Sequence, residues 1–154
     1  MERESMSTRE TNIAFQEAYK QLDRICKDMY RGAEGVSAYI KDMENTPLNL
    51  RKNVYGWDVF YRELKRKRWM RNQLAHDVDI DMYFCTFNDI DWVERFHEKI
   101  LKCEDPIALA YKGHKAKIKT KEITGSNAER NSTAQKRRPS LWSRFVSKIK
   151  NLFG

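Results

Sequence analysis

The chain has 154 residues with 40% hydrophobic, 12% aromatic and 34% charged positions, including seven Phe, seven Tyr and four Trp, which excludes disorder along its whole length and allows one domain, or one domain with a tail. Its formal net charge of +8 is unevenly placed: residues 1–111 hold 18 Lys and Arg against 20 Asp and Glu, whereas residues 112–154 hold 12 against 2. No apolar run approaches the ~20 residues that cross a bilayer, and Met1 to Glu10 lacks the apolar stretch of a secretory signal.

Ser7 and Glu10 have capping-box spacing, and after them Phe15, Ala18, Tyr19, Leu22, Ile25, Cys26, Met29 and Tyr30 recur at steps of three and four. That pattern predicts an amphipathic helix ending near Gly32, with Cys26 as a small buried hydrophobe. Gly35 opens a short second helix carrying Val36, Tyr39, Ile40 and Met43, which Asn45-Thr46-Pro47 breaks. Residues 46–55 read as a loop. A third helix is expected from Trp57 to His76, apolar early at Trp57, Phe60, Tyr61 and Leu64 and densely basic later.

Residues 77–87 form a connection. Thr86 and Asp89 then cap a fourth helix whose core stripe is Ile90, Val93, Phe96, Ile100 and Leu101. Asp105-Pro106 pairs an N-cap with a proline at the first helical position, and starts a short fifth helix with Ile107, Leu109, Ala110 and Tyr111. The expected fold is all-α, a four- or five-helix bundle over residues 1–112. Cys26, Cys85 and Cys103 make no disulfide framework and no C-x-x-C pair for zinc, so no metal or other cofactor is expected and the compartment reads as cytoplasmic. Asp77, Asp79 and Asp81 imitate a calcium loop, but Met82 stands where Gly is required and Asn88 where the bidentate Glu belongs.

Residues 113–139 lose their aromatics and read as a disordered basic linker with an r.m.s. reach of roughly 30 Å. Residues 140–154 follow as a basic amphipathic helix, with Trp142, Phe145, Ile149 and Phe153 on the apolar stripe and Arg144, Lys148 and Lys150 on the other faces. Three destinations suit such a helix: an anionic membrane surface, a groove on a protein partner, or its own bundle. The first would make the protein peripheral to a membrane.

Arg71-Asn72-Gln73-Leu74-Ala75-His76 closes the third helix and resembles the R-N-x-x-x-H motif of HEPN domains. Residues from about Phe15 to Tyr111 are also similar to a family of short uncharacterised bacterial proteins, through Gly35 to Glu44, Met70 to Asp77, and Asp105-Pro106 with Tyr111. The HEPN resemblance implies a helical bundle, a homodimer, RNA as ligand, and metal-independent RNA cleavage with Arg71, Asn72 and His76 as catalytic residues. His suits proton transfer near neutral pH, Arg suits a phosphate, and Asn72 would orient either. Lys65, Arg66, Lys67 and Arg68 would contact phosphates, and Trp69 would stack a base or join the core.

The bland reading of the basic run is a solvated helix end paired with Asp58 or Glu63; that of Arg71 and His76 is a pair of cations countering the helix dipole. Five residues along a continuous helix turn by about 140°, so Arg71 and His76 meet only if the helix ends before His76 or a second copy supplies one of them. His97 reads as a structural histidine beside the core stripe. Two functions therefore stand side by side. One is an RNA-binding protein with ribonuclease chemistry; the other is a non-catalytic helical interaction module, held at a membrane surface by its C-terminal helix.

Overall fold

The structure, a computed structural model, describes residues 6–113. The expected linker lies outside that range except for Gly113, and so does the expected C-terminal helix. The described residues contain no strand. Five helices follow one another: α1 (Thr8–Tyr30), α2 (Val36–Asn45), α3 (Leu48–Arg51), α4 (Trp57–His76) and α5 (Phe87–Leu101). A further helical run covers 106–113.

Local chemistry sets the ends of these helices. At the start of α1 the Ser7 side chain accepts from Glu10 N–H, and Glu10 in return accepts from Ser7 N–H at 2.7 Å. These bonds favour the ionised carboxylate and hold Glu10 below its usual pKa. Thr86 and Asp89 repeat the arrangement at α5. α2 has no side chain of its own at its N-cap, Gly35. Asp23 of α1 reaches across, accepts from Val36 N–H at 3.0 Å and pairs with Lys27 at 2.7 Å. A carboxylate there complements the positive end of the helix.

α1 lies at the centre. It packs on α2, α4 and, most extensively, α5. Its buried face is Phe15, Tyr19, Leu22, Cys26 and Met29, and these meet Val36, Tyr39, Ile40 and Met43 of α2 and Ile90, Val93, Phe96 and Ile100 of α5 in one core. α4 contributes Trp57, Leu64, Met70 and Leu74. Buried Asn12, at the start of α1, clasps the 77–86 connection: its amide donates to the carbonyls of Ile80 and Met82 at 2.8 Å each, and its oxygen accepts from Cys85 N–H at 3.1 Å. This clasp brings the beginnings of α1 and α5 together, so those two helices run in the same direction.

Three expectations need correction. Residues 46–55 contain α3, a single turn, where Pro47 sets the entry and buried Leu50 holds the turn to the core. Leu101 and Leu109 are exposed rather than core, each one step past the residue that points inward, Ile100 and Ala108. Trp69 is also outside, 54% exposed, with its ring 5.7 Å from that of Phe84.

A buried carboxyl stands just ahead of the last helical run, 106–113. The Asp105 side chain is wholly buried; its Oδ2 accepts from the Tyr39 hydroxyl at 2.6 Å and from Ala108 N–H at 3.4 Å, while Oδ1 has no hydrogen bond. Burial outweighs these bonds and pushes its pKa up to about 6. The folded state therefore holds this proton more tightly than the unfolded chain does, and stability falls as pH rises through 6. Asp105→Asn should remove this dependence. In urea melts, the stability difference between wild type and variant is expected to change by about 3 kcal/mol between pH 4 and 7. A difference that stays constant with pH would show that Asp105 is ionised in the fold.

Candidate nucleic-acid interface

The basic run of α4 is sorted by the turn of the helix, about 100° per residue. Lys67 points inward and is 2% exposed. Its ammonium donates to Asp89 at 2.7 Å and to Glu63 at 3.0 Å, and lies 5.5 Å from the centre of the Trp92 ring. Phosphate contact by Lys67 is thus withdrawn: the side chain is an internal strut between α4 and α5. Burial raises the Asp89 pKa, but the bonds from Lys67 and from the Thr86 N–H and hydroxyl outweigh it, and the net shift is downward.

Arg68 is half-buried and donates to Ser37 of α2 at 3.3 Å. Lys65 and Arg66 are exposed. Lys65 lies over the Tyr61 ring at 5.0 Å. Arg66 makes two long pairs, 3.5 Å each, to Glu63 and Asp89. The Glu63 pairing anticipated from the sequence is present for Arg66 and Lys67, while Asp58 forms no ion pair among the described residues.

With these positions assigned, one outward face of α4 emerges. Arg62, Lys65, Arg66, Trp69 and His76 are exposed and lie within about 100° of one another around the helix. An exposed indole with cations on either side offers a stacking surface and phosphate contacts together. Sequence reasoning placed Trp69 by its aromatic character; the signal that it faces out is its offset from the Leu64, Met70 and Leu74 stripe.

The three motif residues are exposed but divided. α4 continues to His76, and the Asp77 N–H closes the last turn on the Gln73 carbonyl. Arg71 faces the opposite flank from His76, where a groove of about 540 Å³ against α1 is lined by Tyr19, Asp23, Lys27 and Leu74. Its guanidinium donates to Asn72 at 3.1 Å and has no carboxylate partner among the described residues. One protomer therefore cannot bring Arg71 and His76 to a single phosphate.

Among the described residues no group of three His, Cys, Asp or Glu is arranged to hold a metal ion. Asp79 accepts from Asp81 N–H, and Asp81 faces Arg9 at 3.4 Å. No described helix is long and apolar enough to cross a membrane.

A family model, described as a family of unknown function (DUF6548), matches residues 13–151. The match continues to residue 151, well past Tyr111, where the resemblance read from the sequence stopped. No curated protein and no solved structure gives a significant match.

Proposed function

We propose, for a chain that belongs to this family of unknown function, that it binds single-stranded RNA through the outward face of α4. The observation that supports this is the exposed Trp69 ring beside Lys65 and Arg66. A base stacked on an aromatic ring contributes about 1–3 kcal/mol, and the cations beside it suit the backbone phosphates. With the net charge of the bundle near zero, this affinity is local to α4.

Anisotropy titrations of a labelled oligouridine test the reading. Trp69→Ala is expected to weaken binding about 5- to 150-fold. Lys65→Ala with Arg66→Ala should lower affinity and flatten the slope of log K against log salt by about 1.4. Arg95→Ala, on α5 and paired with Asp91, is the control. Equal affinity in all four proteins would end the proposal.

A second reading adds cleavage, and it draws on Arg71, Asn72 and His76 being exposed together with the resemblance of this segment to the HEPN motif. It needs two copies, with Arg71 from one and His76 from the other. The 2′-hydroxyl would attack its own phosphate, leaving a 2′,3′-cyclic phosphate and a 5′-hydroxyl. In EDTA, Arg71→Ala and His76→Ala should each be inactive alone. Mixed after subunit exchange, they should recover about one quarter of wild-type activity, since half the dimers then hold one intact site. No recovery on mixing would exclude a shared site. Wild type inert toward RNA would leave a non-catalytic module.

A further inference from the structure

The corner where α3 leads into α4 keeps apolar side chains outside. Leu48 is 64% exposed, Val59 53% and Tyr55 fully. Leu48 and Val59 line one depression of about 460 Å³, together with Val54 and Gly56, the residues on either side of Tyr55. Beneath them the corner is tied down. Leu50, Val54 and Trp57 are buried, and Arg51 donates to the carbonyls of Glu44 and Thr46 at the end of α2. The exposed side chains therefore stand on a packed base.

Charge at the corner is positive. Arg51, Lys52 and Arg62 line the depression against one acid, Asp58. Arg62 donates through Nε to the Asp58 carbonyl at 3.3 Å. Among the described residues none of the three cations pairs with a carboxylate, and Asp58 sits in the first turn of α4, where the positive end of the helix offsets it.

We propose that this corner rests on an anionic membrane surface. Leu48 and Val59 are aliphatic: they offer a nucleic-acid base no ring to stack on, and they suit the boundary of the acyl chains. Tyr55 suits the headgroup level, and Lys52 and Arg62 lie where anionic headgroups would meet them. The path of the chain agrees. Gly113 sits beside Asn53, so residues 114–154, with 11 Lys and Arg against 2 Asp and Glu, leave the bundle next to Lys52. The same surface attracts them and the corner together. The proposal stands apart from RNA binding at Trp69, ten residues or about 15 Å further along α4.

Co-sedimentation of the full chain with vesicles of phosphatidylcholine and phosphatidylserine tests the proposal. Leu48→Gln with Val59→Gln, both at exposed positions, should bind about 10-fold or more weakly. Lys52→Ala with Arg62→Ala should bind about 25-fold more weakly, as each cation near such a surface supplies a factor of about 5. Met82→Gln is the control: Met82 is 62% exposed but lies beyond the other end of α4, about 30 Å away, and its variant should match wild type. Unchanged thermal melts would show that all these variants keep the fold. Three results would overturn the proposal. One is a wild-type chain that stays in the supernatant. Another is corner variants that sediment as wild type does, or no better than Met82→Gln. The third is a loss of oligouridine affinity in Leu48→Gln with Val59→Gln while vesicle binding persists, which would give the corner to RNA.

Discussion

Asp89→Ala is expected to cost about 3–5 kcal/mol, because it strands a buried charge. Lys67 is 2% exposed and its shortest partner is Asp89, at 2.7 Å. Glu63 remains at 3.0 Å, but it is one carboxylate at the edge of the site. The same substitution removes half of the α5 capping box, worth about 1 kcal/mol more. Against the typical 5–15 kcal/mol that holds a domain together, such a loss lowers the melting temperature by more than ~12 °C.

The double substitution Lys67→Met with Asp89→Asn separates charge from packing. Met fills the channel beside Trp92, and the Asn oxygen still accepts from Thr86 N–H. Stability should return close to wild type, as replacement of buried ion pairs by apolar groups commonly shows. Thermal melts of the three proteins decide. A cost for Asp89→Ala below ~1 kcal/mol would show that Lys67 reaches water and is no internal strut.

Gly35→Ala carries the second large effect. Gly35 has φ +55°, a conformation that L side chains rarely adopt, and an added Cβ would lie 2.0 Å from Asp23 Oδ1. The backbone strain costs about 1–3 kcal/mol. Displacing Asp23 removes the bond to Val36 N–H, worth about 1 kcal/mol. We expect about 2–4 kcal/mol in all.

Asp23→Ala alone should cost only the bond to Val36 N–H and the part-exposed pair with Lys27. Combined with Gly35→Ala it should cost less than the sum, since the methyl then meets no carboxylate. Strict additivity in urea melts would show that the two residues do not touch.

The helices were legible because their signals are local. Ser7 with Glu10, and Thr86 with Asp89, mark helix starts through contacts three residues apart, and both boxes are formed. The bounds of α4 follow from the apolar face that opens at Trp57 and the alternating acids after His76. α3 was hidden because it is a single turn of four residues with one buried anchor, Leu50, too short to show a period.

The site was less legible. Lys67 falls on the inward stripe with Leu64, Met70 and Leu74, so its burial was implied by position; its partner Asp89 had already been assigned as a cap, and a carboxylate that serves both tasks is invisible to one-dimensional reading. Asn12 lies ahead of the apolar stripe that begins at Phe15 and so drew no notice, yet it joins α1 to a connection 68 residues away. The divergence of Arg71 and His76 was implied by five residues of continuous helix, and α4 supplies that continuity.

The central place of α1 also bears on how the chain is made. Ribosomes add roughly 5–20 residues per second, so about 4–14 s separate the emergence of Tyr30 from that of Leu101. Throughout this interval Phe15 and Leu22 lack α5, the neighbour with which α1 shares its largest interface. Of the five helices the earliest synthesised therefore waits longest for its main neighbour, and a nascent chain halted before residue 87 presents that stripe to solvent or to chaperones.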